Sequence, residues 1–153
     1  MDGLQAPHVA ILLAVYNGGD FLSDQLQSIA AQEYQSWQVL ASDDGSKDKS
    51  RDILGEFAAV HPAICLSGPG AGAAGNFLSL IRRTPEIAPA GHWMAFCDQD
   101  DVWLPDKLSR GIAALGDSED PRPSLYCSRS WITDTALGQR RLSAARPRPP
   151  SFR

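Results

Sequence analysis

Trp93-Met94-Ala95-Phe96-Cys97-Asp98-Gln99-Asp100-Asp101-Val102-Trp103-Leu104-Pro105 decides the fold. The apolar run from Trp93 to Cys97 predicts a buried strand. Pro105 suits the start of a helix, because a proline there gives up no N–H that the helix needs. Between them lie three carboxylates, Asp98, Asp100 and Asp101. Crowded on the exit of a buried strand, they repel one another and lose hydration, which is sustained only with water or a divalent cation against them. Open α/β sheets bind ligands at the carboxyl ends of their strands. The stretch therefore predicts a hard-metal site that holds a phosphorylated substrate. Asp98 and Asp100, two apart in an extended loop, can point to the same side. They are the predicted ligands for Mn²⁺ or Mg²⁺, which take oxygen donors and keep positions open for phosphate. Asp101 reads equally as a helix-start residue, since it and Asp106 flank Pro105.

The flanking chain alternates strands and helices, with no internal repeat. Val9 to Val15 is continuously apolar, as a central parallel strand should be, and Tyr16-Asn17-Gly18-Gly19 breaks it. Asp20 is the expected cap of a helix running to about Gln32, with Leu22, Leu26, Ile29 and Ala30 on one face. Trp37 to Ala41 is a second strand, and Ser42-Asp43-Asp44-Gly45-Ser46 its exit loop. Asp48 and Asp52 open a second helix with Ile53, Leu54, Phe57 and Ala58 inward, ended by His61-Pro62. Ile64 to Ser67 is a short strand, Gly68 to Gly75 a flexible loop, and Asn76 the expected cap of a third helix that buries Phe77, Leu80 and Ile81. Thr84 to Gly91 reads as a connection. A fourth helix starts at Pro105, with Leu108, Ile112 and Leu115 on one face. Asp117 to Pro123 is a loop, and Leu125 to Ser128 and Trp131 to Thr133 are further strands.

This alternation predicts a three-layer α/β/α fold around a mostly parallel sheet. Residues 1–138 form the expected domain and residues 139–153 an Arg/Pro-rich tail. Its Arg146-Pro147-Arg148-Pro149-Pro150 cannot pack a core and is expected to be disordered.

Charge narrows the function classes. All 18 acidic and 9 of the 14 basic residues precede Arg140, a net −9, whereas the rest of the chain adds five arginines and no acid. Such an acidic body argues against nucleic acid as a partner. It remains compatible with an anionic nucleotide if a metal ion inverts the local charge. Cys65, Cys97 and Cys127 are far apart and beside apolar residues, and the three histidines have no ligand spacing. The expectation is reduced core thiols in a cytoplasmic protein. The run from Val9 to Tyr16 is too short to span a bilayer, and Met1 to Pro7 lacks a signal pattern.

If the sheet is parallel, the Asp43-Asp44 loop and the Asp98–Asp101 loop share one edge and one cleft. Asp43 and Asp44 are candidates to accept hydrogen bonds from a base or a ribose, and read equally as turn and cap residues. Tyr16-Asn17 and the glycine-rich loop before Asn76 are candidates to shape a nucleotide pocket, although the loop alone reads as a plain connection. No G-x-x-x-x-G-K-[ST] is present, which excludes a P-loop. Trp103 reads as a packing residue, and the arginine tail as a solvated end.

Together these residues resemble the nucleotide-sugar half of inverting family 2 glycosyltransferases. The matching pieces are Val9 to Asn17, Leu22 to Gln32, Ser42 to Asp48 and Asp98 to Leu108, which looks like the bacterial rhamnosyltransferase-like form; Gly75-Asn76-Phe77 also fits that subset. The match runs in order from about Val9 to Leu115. The resemblance implies a GT-A fold and a nucleotide-diphospho-sugar donor, such as a UDP- or dTDP-sugar, dTDP-rhamnose included. Asp44 would bind the base, with Val15, Tyr16, Asp43 and Asn76 in the same pocket. Asp98 and Asp100 would form the metal-and-diphosphate motif (DXD). The acceptor would be a glycan or a lipid-linked saccharide, in cell-surface polysaccharide synthesis such as that of O-antigen. The place would be the cytoplasm, with peripheral association at the inner face of the membrane. Family members continue into an acceptor half that supplies the catalytic carboxylate base. No residue of this chain is assigned that role, since Asp134 reads as a turn residue, and a sheet truncated on its C-terminal side is expected. The competing expectation is a nucleotide-sugar-binding module that lacks the acceptor half and does not transfer. A receiver-like signalling domain needs an acidic pair after the first strand and a lysine after the last. The chain has Tyr16-Asn17 at the first position and no lysine beyond Lys107.

Overall fold

A computed structural model describes residues 8–88, 93–116 and 123–145. In chain order the elements are β1 (Val9–Val15), α1 (Leu22–Ala30), β2 (Trp37–Asp43), α2 (Ser50–Ala58), β3 (Ala63–Ser67), α3 (Gly72–Ile87), β4 (Trp93–Asp98), α4 (Lys107–Gly116), β5 (Trp131–Thr133) and β6 (Arg140–Leu142). The chain divides into two units, Met1–Ser109 and Arg110–Arg153.

In the first unit four parallel strands lie in the order β3-β2-β1-β4. The α/β fold with a mostly parallel sheet is the expected one. β1, flanked on both sides, is buried along its whole length, which is why its sequence is uninterruptedly apolar. Side chains alternate between the two faces of a strand. Ala10, Leu12 and Leu40 make a core with Leu80 and Ala88, joined by Ile64, Leu66, Phe77 and Ile81. α3 therefore covers that face. On the opposite face Gln25 of α1 reaches Cys97 Sγ, and α1 buries Leu22, Leu26 and Ile29. The register pairs Val15 with Asp43, Asp43 with Ser67, and Ala14 with Asp98. All four strands thus stop at one edge, and their exit loops gather there.

Several expectations are corrected. β4 is not a buried strand: among the described residues it has a strand partner on one side, Cys97 alone of its residues is fully buried, and Met94 and Phe96 are exposed. α1 starts with Phe21 at its N-cap and has no side-chain cap, so Asp20 does not cap it. α3 begins at Gly72, and Asn76 lies inside it rather than at its cap. The helix continues through Thr84-Pro85, where a connection was expected, with Thr84 Oγ1 donating to Leu80 O. α4 begins at Lys107, after a turn at Pro105-Asp106. Cys65 and Cys127 are exposed rather than core thiols, and only Cys97 is buried.

In the second unit Leu125–Ser128 is irregular, so it adds no strand to the parallel sheet. β5 and β6 instead form an antiparallel hairpin in which Trp131 pairs with Leu142 and Thr133 with Arg140. Asp134 makes the turn by accepting the Gly138 and Gln139 N–H groups, and Leu137 takes φ 56°. The boundary expected at Gly138 falls inside this hairpin. Residues 117–122 of the expected Asp117 to Pro123 loop, residues 89–91 of the expected Thr84 to Gly91 connection, the N-terminal stretch to Pro7 and the Arg146–Pro150 tail lie outside the described residues.

Candidate functional site

The site is built from the exit loops of all four parallel strands. The β1 loop leaves four consecutive N–H groups, Tyr16 to Gly19, beyond the end of the strand. Each is taken by a side chain from another loop or, for Gly18, from the first residue of α2. Tyr16 N–H donates to Gln99 Oε1 (2.8 Å), Asn17 N–H to Ser46 Oγ (2.8 Å), Gly18 N–H to Ser50 Oγ (2.9 Å) and Gly19 N–H to Asp48 Oδ2 (2.8 Å). Lys47 N–H returns a bond to Asn17 Oδ1 (2.9 Å). The Asp48 carboxyl is held below its usual range, first by the Ser50 hydroxyl and then by the Gly19 N–H. The loop is thus pinned before any ligand arrives.

At the β2 exit, strand alternation separates two adjacent carboxylates. Asp43, the last strand residue, turns away from the α3 face. It is buried, accepts Ser46 N–H (3.2 Å) and pairs with Arg51 Nε (2.6 Å). Burial pushes its carboxyl up, but hydrogen bonds from Ser46 and Arg51 outweigh this and hold it below the usual range. Asp44, one residue on, accepts Gly70 N–H (2.7 Å) and Gly72 N–H (2.9 Å). Both glycines have positive φ, 68° and 73°, which other residues rarely adopt. A Cβ at Gly68 would lie 2.5 Å from Asp44 Oδ1 and 3.0 Å from Asn76 Oδ1. The glycine-rich segment is therefore a cradle for Asp44, not a plain connection. Asn76 is buried; its Nδ2 donates to Ser42 O (2.8 Å), and its Oδ1 is sealed without a partner.

The β4 loop is strapped down by a polar stripe on and just after α1. Ser28 Oγ accepts Trp103 N–H (2.9 Å). Gln32 donates to Leu104 O (2.8 Å) and accepts Leu108 N–H (3.1 Å), and Glu33 N–H donates to Pro105 O (2.9 Å). Trp103 is buried, as a packing residue should be, with Lys107 Nζ 5.0 Å from its ring centroid. Partial burial, then the charges of Asp98 and Asp100, push the Asp101 carboxyl up, with Lys107 opposing.

These loops enclose a cleft of ≈ 530 Å³. Val15, Tyr16, Asp44, Asn76, Asp98 and Asp100 all line it, together with Gly70, Gly72 and Gln99. Of the seven predicted residues, Asp43 is the one the structure does not bring to the cleft. Gln99 was missed as a site residue; its carboxamide bonds a backbone 83 positions away, which no local pattern reveals.

The donor set fits a hard divalent cation. Asp98 and Asp100 both line the cleft, and their charges add to burial in disfavouring charge on Asp101. No group of three or more His, Cys, Asp or Glu suited to a metal exists among the described residues.

The chain matches the family described as glycosyl transferase family 2 over residues 10–142. It is 31% identical over 107 residues to the Escherichia coli UDP-Glc:alpha-D-GlcNAc-diphosphoundecaprenol beta-1,3-glucosyltransferase WfgD, covering 70% of this chain and 40% of that protein. It is 34% identical over 107 residues to the Shigella flexneri dTDP-rhamnosyl transferase RfbG, covering 67% of this chain and 36% of that protein. The chain thus spans well under half the length of these curated relatives. Its fold is similar to that of the mannosyltransferase PcManGT from Pyrobaculum calidifontis, solved in complex with GDP-Man and Mn²⁺. The TM-score is 0.64 at 22% identity, over 77% of this chain and 34% of that one. With the profile match extending over most of its length, the chain belongs to glycosyl transferase family 2.

Proposed function

We propose that the cleft is the donor site of a glycosyltransferase that takes a sugar from a nucleotide-diphospho-sugar. The observation that carries this reading is that Asp44, Asp98 and Asp100, from two separate strand exits, line one cleft together with Tyr16. Asp44, oriented by Gly70 and Gly72, accepts hydrogen bonds from the base, and Val15 and Tyr16 form the wall beside it. Asn76 acts through Ser42 O, holding the start of α3 against the end of β2. Asp98 and Asp100 are the residues that would hold Mn²⁺ or Mg²⁺ at the diphosphate end of the donor. When bound, such an ion neutralises the diphosphate and stabilises it as the leaving group.

RfbG is named a dTDP-rhamnosyl transferase and WfgD a UDP-Glc glucosyltransferase. These names support a UDP- or dTDP-sugar as donor, dTDP-rhamnose included, and a glycan or lipid-linked acceptor in cell-surface polysaccharide synthesis. Transfer is inverting, at the cytoplasmic face of the membrane with peripheral association. No helix among the described residues is long and apolar enough to cross a membrane. The second reading, a nucleotide-sugar-binding module without transfer, draws on the same cleft. In this proposal the three carboxylates that line the cleft, Asp44, Asp98 and Asp100, all take donor-side roles.

Asp98→Ala and Asp100→Ala test the proposal. Each is expected to abolish metal-dependent nucleotide binding by calorimetry while leaving the unfolding transition in place. Affinity equal to the parent chain's in both variants refutes the metal role.

A further inference from the structure

Gln99 sits between the two carboxylates proposed to hold the cation, yet its own side chain is directed at another loop. Its Oε1 accepts Tyr16 N–H at 2.8 Å, and its Nε2 donates to Tyr16 O at 3.1 Å. One planar carboxamide thus grips both backbone groups of a single residue, as a strand partner would. Tyr16 lies one position beyond the end of β1, and its side chain is 56% exposed at the cleft.

We infer that Gln99 is a positioning residue that ties the nucleoside wall at Tyr16 to the diphosphate loop at Asp98 and Asp100. The inference rests on the donor-site reading above. On the β2 side the Tyr16–Gly19 loop is already fixed by Ser46, Asp48 and Ser50. The Gln99 bonds carry that fixation across to the β4 side, so the spacing between the two halves of the cleft is set before a ligand arrives. A ligand that spans both halves then spends none of its binding free energy on aligning them.

Two further features single out this residue type. An amide is the uncharged side chain that offers one donor and one acceptor on the same plane. Glutamate would keep the acceptor but set an oxygen against Tyr16 O and add a negative charge to a loop that already carries three. Asparagine is one methylene shorter and loses reach. Gly18 leaves the room that the carboxamide fills: a Cβ there would lie 2.5 Å from Gln99 Oε1 and 2.7 Å from its Cδ.

The test compares three probes on the wild-type chain, Gln99→Met and Gly18→Ala. The probes are a nucleoside diphosphate with Mn²⁺ (UDP, dTDP or GDP, whichever the wild type binds), the matching nucleoside alone, and pyrophosphate with Mn²⁺. Gln99→Met keeps the length and removes both bonds. Its affinity for the spanning ligand is expected to fall about tenfold, while the two half-ligands stay within about twofold. Gly18→Ala should act in the same way, and the double variant should be no worse than Gln99→Met alone, because both remove one interaction. Tyr16 amide exchange should accelerate in both variants without any ligand. An unchanged affinity for the spanning ligand in Gln99→Met overturns the inference. So does a parallel loss of all three probes, which marks a merely structural role. A wild-type chain that binds no nucleoside diphosphate defeats the donor-site reading itself and the coupling with it, whereas a wild type that binds while the variants match it defeats the coupling alone.

Discussion

Gln32→Met is the sharpest test of how the β4 loop is held. Gln32 is 1% exposed, and its carboxamide bridges Leu104 O and Leu108 N–H. Methionine fills much the same space with no donor or acceptor. The Leu108 N–H bond is buried, so its orphaned donor costs roughly 1–3 kcal/mol. The Leu104 bond is part-buried, and that carbonyl regains water in exchange, which limits its loss to roughly 0.5–1 kcal/mol. The sum, about 1.5–4 kcal/mol, is a large fraction of the ~5–15 kcal/mol that stabilises an ordinary domain. In urea, with a slope of roughly 2 kcal/mol per molar, the unfolding midpoint should drop by about 0.75–2 M. Gln27→Met, at an exposed position on α1, the helix that precedes Gln32, is the control and should stay within about 0.5 kcal/mol. A Gln32→Met midpoint indistinguishable from that control would refute the claim that this side chain straps the loop.

Asp43 gives a pH-dependent signature. Its carboxyl is held below the usual range in the folded chain, so its stabilising effect is complete above the unfolded value near pH 4 and is lost as pH falls through the lower folded value. Asp43→Asn should therefore flatten the acid limb of the stability curve below about pH 4, and denaturation across that range measures it; an unaltered limb contradicts the assignment. Gly68→Ala places a methyl 2.5 Å from Asp44 Oδ1 and 2.9 Å from its Cα, so it should displace the Asp44 carboxylate and weaken nucleotide affinity about tenfold or more. Equal affinity would mean that Asp44 is not held by the glycine cradle.

What was legible in the sequence, and what was not, follows from the range of the interactions. Val9–Val15 reads as a central strand because both of its faces are covered, and the acid loops read as strand exits because charge cannot continue a buried run. Which of Asp43 and Asp44 enters the cleft depends on where β2 ends. The strand runs two residues past Ala41, so Asp43 turns toward Arg51 and Asp44 toward the glycines. The start of α3 was hidden because Gly72-Ala73-Ala74-Gly75 carries almost no apolar signal, and helix formation there is fixed by tertiary bonds to Asp44 and Ser42. The exposure of β4 was illegible because an apolar run does not say how many neighbours the strand has. The role of Gln99 is invisible in the sequence, since its partner Tyr16 is remote in the chain.

The most direct measurement is calorimetric titration of this chain with UDP, dTDP and GDP in Mn²⁺, repeated after EDTA. The account predicts that one of these nucleotides binds with a single site and that chelation abolishes the binding. Absence of binding by all three, in a sample that unfolds cooperatively, would contradict the claim that the cleft between Asp44 and Asp98–Asp100 is a donor site.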